Sequence, residues 1–135
     1  MNQAVAPAAP SQAEMRAALE SYVARINSGD RDGVLALFSP DAIIEDPVGS
    51  PAKAGEAITA WFDDTIAFAT QIRPVAPIRG SHGNAAALMF DVTFQPPGGP
   101  AMLIRSLDVC TFDREGRIAS LKAYWGPEDV EVLAS

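Results

Sequence analysis

The feature that most constrains this chain is a change of hydrophobic period near residue 70. Before that point apolar residues recur at helical spacing; after it they alternate, in runs joined by short turn clusters. Ser11 and Glu14 make a Ser-x-x-Glu capping signal, followed by an apolar stripe of Met15, Leu19, Tyr22, Val23 and Ile26. Gly29 is expected to end this first helix and Asp30 to cap a short second one carrying Val34, Leu35, Leu37 and Phe38. Ser39-Pro40-Asp41 reads as a turn and Ala42–Glu45 as a short extended piece entering Asp46-Pro47. A third helix is expected from about Gly55 to Ala69, with Ile58, Trp61, Phe62, Thr65 and Ile66 facing inward. Four strands then follow, at roughly Gln71–Ile78, Ala85–Gln95, Met102–Phe112 and Arg117–Trp125. Their short links demand antiparallel neighbours, because a parallel crossover needs a dozen residues or more. Three N-terminal helices before a four-stranded meander predict an α+β fold, with the helices covering one face of a curved antiparallel sheet.

At 135 residues the chain suits one domain. Residues 1–10, rich in Ala and Pro, are expected to be a disordered tail, and residues 11–135 the domain. Net charge is −7, with no basic stripe to neutralise phosphates, so neither nucleic acid nor an anionic membrane is an expected partner. Cys110 and His82 are the only residues of their kinds, which excludes an intrachain disulfide and a Cys-based zinc cluster. The lone histidine lies in a Gly-Ser-His-Gly-Asn turn signature and reads as a solvated turn residue. The acidic residues lack metal-ligand spacing, so no metal is expected. No apolar run approaches the length needed to span a bilayer. The first residues lack the basic and apolar regions of a secretory signal, and a cytoplasmic protein is expected.

Alternation assigns side chains to the two faces of the sheet. Leu88, Phe90, Val92 and Phe94 share one face of the second strand, and Leu121, Ala123 and Trp125 one face of the fourth. Ile118, Ser120, Lys122 and Tyr124 oppose the latter on the wetter side. In the third strand Ile104, Ser106, Asp108, Cys110 and Phe112 fall together. Asp108 is the anomaly there, an acid among apolar or small residues with no Lys or Arg beside it. Either the strand is misphased and the acid is exposed or salt-bridged, or burial keeps it protonated. Asp46, held extended by Pro47, is either a turn residue or a carboxylate at a strand end. Tyr22 on the buried helix stripe is either a core tyrosine or a donor aimed at a ligand.

The order and setting of these three residues carry a resemblance. Tyr22-Val23-Ala24-Arg25-Ile26-Asn27-Ser28-Gly29-Asp30 and Asp41-Ala42-Ile43-Ile44-Glu45-Asp46-Pro47-Val48-Gly49 closely resemble the bacterial steroid Δ5-3-ketoisomerases. So do Asp108-Val109-Cys110-Thr111-Phe112-Asp113, Gly116-Arg117-Ile118 and Ala123-Tyr124-Trp125. The resemblance runs from about Met15 to Asp129. It implies the cone-shaped α+β fold of nuclear transport factor 2-like and SnoaL-like proteins, a homodimer built on the outer sheet face, and a cofactor-free steroid Δ-isomerase. It also implies roles: Asp46 as general base, Tyr22 as the phenol of an oxyanion hole, and Asp108 as its protonated acid, the established pattern of ketosteroid isomerases. A flat hydrophobic ketone, such as a steroid, is the implied partner. Ile26, Trp61, Phe90, Val92, Leu121 and Trp125 are the candidate pocket walls, each of which could instead serve simply as core. Phe38 and Phe62 stand where some members carry tyrosines bonded to the catalytic phenol, and Ser106 where the family often has an apolar wall residue. Two other classes stay open: a different enzyme of the same fold, polyketide cyclase-like or epoxide hydrolase-like, and a non-catalytic steroid- or lipid-binding module.

Overall fold

The structure, a computed structural model, describes residues 10–133. All but one residue of the expected tail at 1–10 therefore lies outside the described residues. The first helix, α1 (Gln12–Asn27), opens with the anticipated capping box: Ser11 Oγ accepts from Glu14 N at 3.0 Å, and Ser11 N donates to Glu14 Oε1 at 2.7 Å. Met15, Leu19, Tyr22 and Ile26 form its buried stripe. Its end is a Schellman motif, in which Gly29 N donates to Ile26 O and Asp30 N to Arg25 O. That geometry needs a left-handed residue, and Gly29 has φ +74°. The same Asp30 accepts from Gly33 N and so starts α2 (Arg31–Leu35).

The second helix stops earlier than its apolar residues suggested. Phe38 belongs instead to β1 (Phe38–Glu45), which also takes in the expected Ser39-Pro40-Asp41 turn. Between Phe38, paired with Ile118, and Ile43, paired with Ser120, β1 advances five residues while its partner advances two. The turn signature is thus a bulge, placed where Pro40 has no N–H to offer a ladder. A short β2 (Lys53–Ala54), not anticipated, pairs antiparallel with β1 and leads into α3 (Glu56–Ala67). Ile58 and Phe62 of α3 enter the core.

The meander follows as β3 (Gln71–Pro74), β4 (Ala85–Phe94), β5 (Met102–Phe112) and β6 (Ile118–Tyr124), each antiparallel to the next. β3 is shorter than expected, since Pro77 cannot donate to a continued ladder. A 3-10 turn (Pro127–Asp129) and β7 (Val130–Val132) follow, β7 pairing with the start of β5 where β6 no longer reaches. The sheet is mixed, which corrects the all-antiparallel expectation: the order is β2-β1-β6-β5-β4-β3, and β1 runs parallel to β6. The short-link argument governed the meander alone, while β1 reaches β6 through a crossover that contains α3 and four strands.

Ile118 also departs from its expected wet face and is fully buried. Ala119 is an extra residue in β6, because Thr111 pairs with Ser120 while Phe112 pairs with Ile118. The bulge turns Ile118 into the core. Asn27, at the end of α1, fixes the helix layer to the sheet edge: its side chain donates to Ile72 O at 2.9 Å and accepts from Ile72 N at 2.7 Å. Among the described residues no helix is long and apolar enough to cross a membrane.

Candidate active site

Between the helices and the concave face of the sheet lies a cavity of about 320 Å³, within the size range of small-molecule sites. Tyr22 from α1, Asp46 after β1 and Asp108 from β5 all line it. They arrive from three parts of the sequence because the parallel β1–β6 pair sets the end of β1 beside the end of β6, and β6 is the neighbour of β5. Ile26, Trp61, Phe90, Val92 and Trp125 are also in the wall. Leu121 is not; it is 2% exposed and packed in the hydrophobic core.

Asp108 is 3% exposed, paired in register with Leu88 and Ala123, and its Oδ1 has no hydrogen-bond partner. Among the described residues no cation forms an ion pair with it. Burial pushes its pKa well above the ordinary value, and the charge of Asp46 pushes in the same direction. Both effects favour the neutral carboxyl, the form that can donate a hydrogen bond. Tyr22 is likewise held protonated, first by desolvation and then by Asp108, Cys110 and Asp46. Its ring is fixed by two edge contacts, with Phe38 and Phe62 each at 6.2 Å between centroids. Neither neighbour has a hydroxyl to compete for the phenol.

Asp46 also has its pKa pushed above the ordinary value, but its surroundings oppose part of that push. Its peptide to Pro47 is cis, and the following loop is held down by Val48 N donating to Ala123 O at 2.8 Å. Burial raises its pKa, but two groups act against that: the Trp125 indole donates to Oδ1 at 2.8 Å, and Lys53 contributes positive charge. The Lys53 ammonium itself stands 4.3 Å from the centre of the Trp61 ring. Two carboxyl groups thus share one apolar cavity in different surroundings, one without a charge-stabilising donor or cation and one supplied with both. A site of this kind can take a proton from carbon or water with one group and donate a hydrogen bond to oxygen with the other.

Sequence reasoning missed part of the wall. Asp64, Thr65 and Phe68 extend the stripe that Trp61 begins on α3, and Ile72, Phe94 and Ile104 continue the strand faces, while Ser106 lies in the wall position that the resemblance implied. The signal was present in both cases, as helical i, i+3, i+4, i+7 spacing and as alternation in phase with Phe90 and Asp108. Thr70 also lines the cavity, from the link between α3 and β3, where no periodicity could mark it.

A helix-backed, curved mixed sheet enclosing an apolar cavity with paired carboxyl groups defines the class of small α+β proteins built like nuclear transport factor 2. Within it, the chain belongs to the SnoaL-like domain family, whose model matches residues 19–121. It is 35% identical over 120 residues to a steroid Delta-isomerase of Nocardioides simplex, spanning 89% of this chain and 96% of that one. It is also 32% identical over 148 residues to the epoxide hydrolase LasB of Streptomyces lasalocidi, covering 93% of this chain and about half (52%) of LasB. Among solved structures, the epoxide hydrolase/cyclase-like enzyme SalBIII, studied for pyran ring formation in the polyether salinomycin, superposes with a TM-score of 0.83 at 27% identity, over 90% of this chain and 97% of SalBIII.

Proposed function

We propose that this protein is an isomerase that moves a carbon–carbon double bond from the β,γ to the α,β position of a ketone, converting a Δ5-3-ketosteroid to its Δ4 isomer. The observation that carries the reading is Asp108: a fully buried acid with an unpartnered oxygen, in the wall of the same cavity as Tyr22. A neutral acid and a phenol are the donors needed where an enolate oxygen gains charge. The relationship to the Nocardioides simplex enzyme supports the same assignment.

In this reading the ketone oxygen sits between Tyr22 and Asp108. Asp46, ionised, removes a proton from the carbon between the carbonyl and the alkene, and the electron pair moves into a dienolate. The two donors hold that negative charge without reorganising, in a cavity with little water to compete. Asp46 then returns the proton to the far alkene carbon, two positions along. One proton leaves and one returns through a single carboxyl group, so the reaction balances without a cofactor. The apolar wall of Ile26, Trp61, Phe90, Val92 and Trp125 would hold the hydrocarbon body. A homodimer through the outer sheet face is part of the proposal: Met89 and Tyr124, 48% and 47% exposed, flank Leu107 in register there. Sedimentation of the purified chain checks that part.

The direct experiment follows ultraviolet absorbance as a Δ5-3-ketosteroid becomes conjugated. A steady rise that Asp46→Asn abolishes is the expected result; no rise with wild-type protein rejects the isomerase. A second reading is favoured by the likeness to LasB and SalBIII. There Asp46 would activate a nucleophilic oxygen while Asp108 protonates an opening epoxide. Turnover of a hydrophobic hydroxy-epoxide without turnover of the ketosteroid would select it.

A further inference from the structure

The isomerase chemistry leaves one polar group in the cavity unused. Ser106 lines the cavity two residues before Asp108, is 7% exposed, and its Oγ has no hydrogen-bond partner. It is paired with Phe90 on β4, and on the cavity side of β5 it stands between Ile104 and Asp108, with whose carboxyl it makes no hydrogen bond. On the other edge of β5, Ser106 falls in the break between β6, whose pairing stops at Leu107, and β7, whose pairing starts at Ile104. A hydroxyl buried without a partner costs folding free energy that an alanine at the same place would not. An oxygen or nitrogen on a bound molecule would satisfy it.

We infer that Ser106 is a specificity-determining residue, and that the substrate is a hydrophobic ketone with a second oxygen, hydroxyl or keto, placed to meet the Ser106 hydroxyl. The inference rests on the proposed seating of the reacting carbonyl at Tyr22 and Asp108. Residues two apart on one strand face are separated by about 7 Å. The second oxygen therefore lies roughly that far along the molecule from the carbonyl that enolises. The cavity continues past Ser106 to Ile104 and Val92, so a ligand held at Asp108 passes the serine. Buried groups built to pair with a ligand oxygen discriminate strongly against the analogue that lacks it, because the group is then left unpaired.

The test uses two phenols that mimic the enolate oxygen, 2-naphthol and naphthalene-2,7-diol, whose oxygens stand about one strand repeat apart. Their affinities for the intact protein are measured by calorimetry, so the result does not depend on turnover. The diol is expected to bind about 10- to 100-fold more tightly than the mono-ol, the range of one satisfied buried hydroxyl. Ser106→Ala is expected to erase that preference and leave the mono-ol within about twofold of its wild-type affinity. Ser106→Thr, which restores a hydroxyl, is expected to recover part of it. Equal binding of the two phenols to wild type overturns the inference. So does an equal weakening of both by Ser106→Ala, which would mean that the serine acts only through Asp108. An Asp108→Leu variant that binds both phenols as well as wild type would remove the anchoring itself. Failure of the isomerase reading registers separately, as an absence of ketosteroid conjugation while the diol preference persists.

Discussion

The indole N–H of Trp125 donates to Asp46 Oδ1 at 2.8 Å across 79 residues of sequence. The pair meets because Glu45 and Lys122 close the parallel register of β1 and β6, and each strand releases its next residues into the same end of the cavity. A residue expected to serve only as an apolar wall is therefore also the donor that stabilises the charge on the proposed base. Wall and base are linked through a single hydrogen bond.

Trp125→Phe keeps an aromatic wall and deletes that bond. The bond lowers the Asp46 pKa against the upward push of burial, so its loss raises the pKa. A base must be ionised to act, so the acid limb of the kcat/KM profile should move to higher pH. Carbon NMR titration of the Asp46 carboxyl measures the same shift without substrate. An unmoved titration would mean that the indole does not govern the charge.

Lys53→Met should shift the same titration in the same direction, since its positive charge also favours ionised Asp46. The two effects differ in their response to salt. Lys53 acts through space from a half-buried position and should be partly screened at high ionic strength. The Trp125 bond should not be. A salt-independent Lys53 effect would count against a charge interaction.

Tyr22→Phe removes a donor and little else, because Phe38 and Phe62 already pack the ring by its edges. Turnover of a Δ5-3-ketosteroid should fall by about 10²–10³, the usual cost of one oxyanion-hole donor. Thermal unfolding should barely move. A variant with wild-type turnover would exclude the phenol from the reaction.

How much of this was legible in the sequence depended on whether a local pattern carried it. The capping box of α1, its buried stripe, the meander and the inward phase of Asp108 all follow from periodicity within one segment. The parallel β1–β6 pairing does not, since nothing near Phe38–Glu45 encodes a partner eighty residues away. Bulges were invisible for a related reason: alternation assumes an unbroken register, and the extra Ala119 reverses it for Ile118. The wall residue Leu121 was assigned to the correct face yet lies in the core, because face and depth are separate properties. For the site, Tyr22, Asp46 and Asp108 stay ambiguous as single residues, polar on apolar faces or set against a proline, and only the resemblance to the ketosteroid isomerases joins them. The Trp125–Asp46 bond needed the tertiary pairing that brings two strand ends together.

The protonation of Asp108 should be visible in folding stability without any substrate. Its native pKa is raised well above 3.8 by burial, whereas the unfolded chain releases the proton near that ordinary value. Between the two values the folded state binds more protons than the unfolded state, so stability falls as pH rises, by at most about 1.4 kcal/mol per pH unit. Stability from this group is fully present below the unfolded pKa and lost by the time pH passes the raised native one. Asp46, also raised, adds a change of the same sign in both proteins compared. Asp108→Asn fills the same space and cannot ionise, so urea unfolding of variant and wild type across acid to mildly alkaline pH isolates the one residue. The wild-type curve should descend relative to the variant as pH increases. A constant offset between the curves can have either sign, depending on how the amide finds partners, and decides nothing. The slope decides: a difference that does not change with pH would mean that Asp108 ionises as readily in the fold as outside it, and the neutral donor would be lost with it.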